Sequence, residues 1–140
     1  DYAYVELGNP GIPHAVVPVK NLRDFDTAKL RELGRRLRYY PEFPKGANVN
    51  FYEIIGADHI YERTYERGVE DFTYACGTGT GSVVMVLTLL GKVSGHQVRV
   101  DMTGGQLMVD VEREGNQVTN LYLTGPTNIV CKGEITDEAL

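Results

Sequence analysis

Cys76 stands in the run TYACGTGTGSVVMVLTLLGK, residues 73–92, between a strand-like and a helix-like stretch, with Gly77, Thr78 and Gly79 directly after it. A cysteine just ahead of a helix meets free amide hydrogens and the positive end of the helix dipole. Both stabilise a thiolate, so the thiol pKa is expected to fall below its usual ~8.5. The same amides, at Gly77, Thr78 and Gly79, form a cradle for a carboxylate or phosphate, and glycine admits a ligand close to the backbone. A thiolate beside an anion holder can grip the α-carboxylate of an amino acid and reach its α-hydrogen. Upstream, RTYERGVEDFTYAC puts Glu66 and Arg67 at a strand end about ten residues before Cys76. A glutamate for an ammonium and an arginine for a carboxylate complement a zwitterion. Asn48 and Asn50 of FPKGANVNF are alternate residues on one strand face, able to donate and to accept. Each has a plainer reading: a small buried cysteine, packing glycines, a solvated strand end, turn asparagines. A phosphate loop fits less well, because CGTGTGS lacks GxGxxG spacing and no lysine follows at Walker spacing.

The elements that must position these residues follow from periodicity. Residues 2–7 alternate like a strand, GNPGIP is a turn cluster and HAVVPVK a short buried strand. Asp26 or Thr27 can cap a helix through about Tyr39, with Leu30, Leu33 and Leu37 at helical spacing. NVNFYEII and HIYERTYERG read as paired strands joined by GADH; HQVRVDM, GQLMVDVER and QVTNLYL read as an antiparallel meander. A last strand, TNIVCKGEI, is expected to close the chain. From about Thr78 to Leu90 the residues are apolar nearly all round, so a helix there must be buried on every face. SVVMV alone could be a buried strand, but length and the Gly91 stop favour helix. The expected fold is α+β: a barrel-like, largely antiparallel sheet wrapped around one central buried helix.

Composition limits the functions. With 140 residues, 42% hydrophobic and 24% charged, the chain suits one globular domain with a real core. A net charge of −5 and no basic block argue against nucleic acid and anionic membrane as partners. The longest apolar run is too short to span a bilayer. Two cysteines 55 residues apart do not read as a disulfide framework, so a cytoplasmic location is expected. There is no CxxC or HExxH and the three histidines are scattered, so no metal site is expected.

Taken together, YERGV…ACGTG, FPKGANVNF, a GNP…PHAVV element and the closing GPTNIVCKGEI resemble the C-terminal half of the diaminopimelate epimerase family, over essentially all 140 residues. The resemblance implies an enzyme without cofactors that uses two cysteines, one on each face of the substrate α-carbon. It implies two similar domains, each a barrel-like sheet around a central helix, with the active site in the cleft between them. Carried over by motif, Cys76 resembles the second catalytic cysteine, assisted by Glu66 and by His14, a histidine near the catalytic pair. Gly77 and Thr78 resemble the carboxylate cradle, Glu66 and Arg67 the substrate-contacting pair, and Asn48 the substrate-binding asparagine. Asn9 would be a further substrate contact, but three extra residues separate Asn9-Pro10 from His14. Either Asn9 keeps that role on a longer loop, or Ile12 takes its place and Asn9 is a turn residue. VEDFTYAC is also one residue longer than the family's common VGETLAC. Cys131 reads as a core residue.

Inverting a stereocentre by proton exchange needs a base on one face and an acid on the other. The resemblance puts the partner cysteine in the N-terminal half, and no second Gly-rich cysteine turn occurs here. DYAYVELGNPG also lacks an initiator methionine and already alternates. The expectation is therefore a single domain over residues 1–140, the C-terminal half of a two-domain enzyme whose N-terminal domain is absent. Alone it should not epimerise. Its partners would be an amino-acid substrate and the N-terminal domain, with a homodimer suggested by the family. The reaction would convert LL- to meso-diaminopimelate, in lysine and cell-wall biosynthesis. Rival readings are a racemase of histidine, proline or hydroxyproline on the same fold, a cysteine hydrolase with His14 as base, and a non-catalytic ligand-binding domain.

Overall fold

The computed structural model describes residues 1–139. Seven strands form one sheet in chain order: β1 (Ala3–Leu7), β2 (Ile12–Pro18), β3 (Asn48–Gly56), β4 (His59–Tyr65), β5 (Val98–Met102), β6 (Gly105–Glu114) and β7 (Gln117–Thr124). Helix α1 (Thr27–Arg38) joins β2 to β3, and α2 (Gly77–Leu89) joins β4 to β5. The fold is α+β as expected, with a helix buried against the inner face of the sheet, but the sheet is an open half-barrel rather than a closed wrap, so Met85, Val86 and Leu89 of that helix are only half-buried. The pairing is more mixed than the alternation suggested: β2/β3 and β4/β5 are parallel and the other neighbours antiparallel. The two parallel pairs are those bridged by a helix, since only a crossover returns the chain in the same direction.

That topology separates the helices. Both crossovers step the same way across the sheet, but β4 runs opposite to β2. The right-handed rule for such connections therefore sends α1 and α2 to opposite faces. Alternate residues of β2 record the result. Val16 joins Val83, Val84 and Leu87 of α2 in one core, with Ile60, Val98, Val100 and Val109. Ala15 and Val17 join Leu30 of α1 in the other, with Val49, Phe51 and Tyr65. Helix α1 turns its leucine stripe inward and leaves Arg31, Glu32, Arg35 and Arg36 exposed. It presses close at Gly34, where a Cβ would lie 2.8 Å from the Tyr65 ring.

The chain's end departs from expectation. No strand forms over residues 125–136, and Ile129, Val130 and Ile135 are 83%, 94% and 93% exposed. Cys131, expected in the core, is exposed. Gly125 and Pro126 end the ladder at β7, and proline has no amide hydrogen with which to continue it. A short apolar run marks a strand only where another surface receives it.

Candidate active site

The starts of β2 and β3, the end of β4 and the first turn of α2 meet at one edge of the half-barrel. Cys76 is the N-cap of α2, in extended backbone (φ −139°, ψ 99°), and its side chain caps nothing. The amides of Gly77 and Thr78 are thus left for another acceptor, while that of Gly79 faces the sulfur. Gly79 lets β3 come near: a Cβ there would collide with Asn50 Oδ1 and sit 3.2 Å from Cys76 Sγ. Thr78 Oγ1 lies 3.8 Å from the sulfur.

The thiol pKa moves opposite to expectation. Burial pushes it up, and the Glu66 carboxylate, joined by that of Glu62 once ionised, adds to the rise. The Gly79 amide and Thr78 hydroxyl pull it down but do not win. The helix-terminus argument treats the cysteine as solvated, whereas here it is half-buried.

His14 links Cys76 to the sheet. It is fully buried, with Nε2 3.1 Å from Thr78 Oγ1 and Nδ1 3.1 Å from Asn50 Nδ2. The Asn50 amide also donates to the Ala15 carbonyl at 3.1 Å. A carbonyl only accepts, so this contact identifies Nδ2, and His14 Nδ1 must accept from it. Nε2 therefore carries the ring proton and donates to Thr78, whose own hydroxyl hydrogen is free for the sulfur. Burial lowers the His14 pKa to about 4, opposed by the Asn50 bond and helped by the Arg67 charge. At neutral pH the ring is uncharged.

Glu66 and Arg67 follow β4 directly, in a turn held by main-chain bonds from Glu66 N to Asp71 O (3.0 Å) and Glu70 N to Glu66 O (2.8 Å). Asn48, at the head of β3, accepts the Arg67 amide at 2.8 Å, so its oxygen is occupied in shaping the turn and its amide nitrogen remains for a ligand. Arg67 itself is exposed and donates to the Lys45 carbonyl at 2.8 Å. Of the residues named from sequence, Cys76, Thr78 and His14 thus form a direct chain. Glu66 lies within charge range of Cys76, and Arg67 within range of His14. Asn9 is exposed in the β1–β2 turn, at the same edge, with no side-chain hydrogen bond among the described residues; Ile12 opens β2 and is 38% exposed. Three side chains escaped the sequence reading: Thr64, Glu62 and Thr80, all buried behind Asn50. One signal was available. In HIYERTYERG, Glu62 shares the strand face of Ile60 and Thr64, and Ile60 is fully buried.

The half-barrel around a buried helix is a known class. It is shared with the crystal structure of a phenazine biosynthesis protein of the PhzF family from Enterococcus faecalis, at a TM-score of 0.58 and 18% identity over 74% of this chain and 35% of that one. That likeness concerns the fold. The sequence goes further: the diaminopimelate epimerase family model matches residues 7–130, and the chain belongs to that family. It is 39% identical to the diaminopimelate epimerase of Leptospira biflexa over 96% of this chain and 44% of the relative. With that of Aquifex aeolicus it shares 40% over 94% of this chain and 46% of the relative. With that of Chlorobaculum tepidum it shares 43% over 90% and 48%. The chain therefore spans about half the length of the curated relatives it matches. Among the described residues no helix is long and apolar enough to cross a membrane.

Proposed function

We propose that this chain supplies one face of the active site of an epimerase that converts LL- to meso-diaminopimelate without a cofactor. The observation that carries the reading is Cys76 at the uncapped head of a buried helix, with the Thr78 hydroxyl turned to its sulfur, in a chain of this family. The substrate α-carboxylate is received by the amides of Gly77 and Thr78, and its ammonium by Glu66. The Cys76 sulfur takes the α-proton, leaving the bonding electron pair on the α-carbon, delocalised toward the held carboxylate. A thiol on the opposite face, from an N-terminal domain, returns a proton to that carbon and inverts it. In the reverse direction the two sulfurs exchange roles, so one must start as thiol and the other as thiolate.

Electrostatics supports the coupling of binding to chemistry. The raised pKa of Cys76 owes part of its rise to Glu66. An ammonium bound at Glu66 cancels that contribution and lowers the thiol pKa, so that more of the sulfur is thiolate once substrate is present. Amide dipoles aimed at the carboxylate, in a cleft closed to water, stabilise the carbanion, each such donor being worth about 10²–10³ in rate.

A second reading, a racemase of another amino acid, is favoured by one observation. Tyr74, two residues before Cys76, is 77% exposed at the site's edge, where it could select a different distal group. The test is α-hydrogen exchange in deuterium oxide, followed by NMR, with LL-diaminopimelate, histidine, proline and lysine offered to the full-length protein. Deuterium in diaminopimelate alone supports the proposal; deuterium only in another amino acid replaces the substrate and keeps the mechanism. No exchange into any of them overturns the reading. The 140-residue chain by itself is expected to give no epimerisation.

A further inference from the structure

Behind Asn50 lies a buried ionisable side chain that proton exchange at Cys76 does not use. Glu62, on β4, is 2% exposed and has no ion-pair partner among the described residues. Its Oε2 accepts the Thr80 hydroxyl at 2.8 Å, and its Oε1 lies 3.1 Å from Thr64 Oγ1. Thr64 Oγ1 is also 3.0 Å from Asn50 Oδ1.

The hydrogens can be counted. Thr64 has one hydroxyl hydrogen and two oxygen neighbours. Asn50 Oδ1 only accepts, because the opposite side of that amide is fixed by the Ala15 carbonyl. The Thr64 hydrogen therefore goes to Asn50, and its bond to Glu62 needs a hydrogen from Glu62. An ionised Glu62 would instead claim the Thr64 hydrogen and leave two lone pairs facing each other at 3.0 Å in the core. With Glu62 protonated, every donor points one way: Thr80 to Glu62, Glu62 to Thr64, Thr64 to Asn50, Asn50 to His14, His14 to Thr78, and Thr78 to Cys76.

We propose that Glu62 is a neutral carboxylic acid and a positioning residue: its proton leaves the Thr64 hydrogen to Asn50 and so steadies the amide that holds His14 in its Nε2–H tautomer and, through it, the Thr78 hydroxyl toward the Cys76 sulfur. The inference rests on Cys76 being the reactive group of the proposed function. Burial acts in the same sense, raising the Glu62 pKa to about 7 against the opposing bonds of Thr80 and Thr64. The other ionisable groups facing this region are Tyr52, opposite Glu62 on β3, His14 on β2 through Asn50, Cys76 at the head of α2, and Glu66 and Arg67 beyond β4. Arg67, the cation among them, is exposed and its charge acts on His14, not on Glu62.

The test uses Glu62→Gln and Glu62→Leu in the full-length protein. Glutamine can donate to Thr64 and accept from Thr80, and so reproduces a protonated glutamate; leucine can do neither. Two readouts need no turnover: the His14 tautomer from nitrogen-15 NMR, and the rate of Cys76 alkylation at about pH 6, where Glu62 with its pKa of about 7 is still protonated, resolved by peptide mass spectrometry. Glu62→Gln should keep the wild-type tautomer and rate. Glu62→Leu, which leaves Thr64 without its donor, should mix the tautomers and slow alkylation about tenfold. Glutamine behaving like leucine would show that the charge of Glu62 is what counts; leucine behaving like wild type would show no positioning role. Either result overturns the proposal. Should Glu62→Leu not fold, the carbon-13 shift of the Glu62 carboxyl in the wild type decides, an ionised value at about pH 6 being fatal. Absence of α-hydrogen exchange would sink the epimerase reading while leaving these readouts intact, so the two failures are distinguishable.

Discussion

Helices α1 and α2 cover opposite faces of one sheet and begin in opposite ways. At α1 the Asp26 carboxylate accepts the Lys29 amide at 2.9 Å, so the helix closes its own N-terminus. At α2 the cap is Cys76, which accepts nothing in that manner. The difference follows from what holds each helix. α1 is amphipathic and half in water, where a cap matters to its stability. α2 is held by Val83, Val84 and Leu87 packed in the inner core, so its first turn can remain open to a ligand. The edge of the half-barrel that carries the polar chain is therefore the one whose helix does not need its own cap.

The largest effect expected from this contrast is at Cys76. Replacing it with alanine should reduce α-hydrogen exchange by about 10³ or more and hardly change the denaturant midpoint, since no cap is lost. A large stability loss would mean that the cysteine supports α2 after all.

Next comes pH, because the polar chain buries two groups that titrate in opposite senses. His14 has its pKa lowered from 6.5 to about 4, so its contribution is present above 6.5 and is lost as pH falls toward 4. Glu62 has its pKa raised from 4.5 to about 7, so its contribution is present below 4.5 and is lost as pH rises toward 7. Between pH 4.5 and 6.5 the two slopes oppose, and wild-type stability should be nearly flat. Glu62→Gln leaves only the His14 slope, so stability should climb over that window, relative to wild type, by up to about 3 kcal/mol. Urea unfolding at several pH values would reveal it; parallel curves for the two proteins would contradict the assigned charges.

A glycine in each helix sharpens the contrast further. Gly79→Ala drives a Cβ against Asn50 and Cys76 and should cost about 2 kcal/mol while also slowing Cys76 alkylation. Gly34→Ala meets the Tyr65 ring, a clash partly offset by about 1 kcal/mol of helix propensity. It should lower stability less and leave alkylation unchanged. The smallest effect belongs to Asp26→Ala, a slight drop in the denaturant midpoint with no change at Cys76. Any change there would couple the two faces of the sheet.

Much of this was legible in residue types and spacing. Strands show as alternation because successive side chains point to opposite faces, and the central helix shows because a segment apolar all round must be buried. Cys76, Thr78 and His14 converge as the motifs suggested. The Glu62–Thr64–Thr80 cluster was not legible: an inward glutamate in HIYERTYERG looks like any polar strand residue until Asn50 and Thr80 arrive from β3 and α2. Residues 125–136 misled for the converse reason, since their apolar run Ile129–Val130–Cys131 meets no surface of this chain.

The sequence by itself determined the family, the order of elements and the side chains available for chemistry, because these depend on local patterns and on motifs a few residues long. Only the tertiary structure decided the parallel pairs, the direction of the Cys76 pKa shift and the protonation of Glu62. These depend on which groups are withdrawn from water together, and desolvation belongs to the packed chain rather than to any stretch of it.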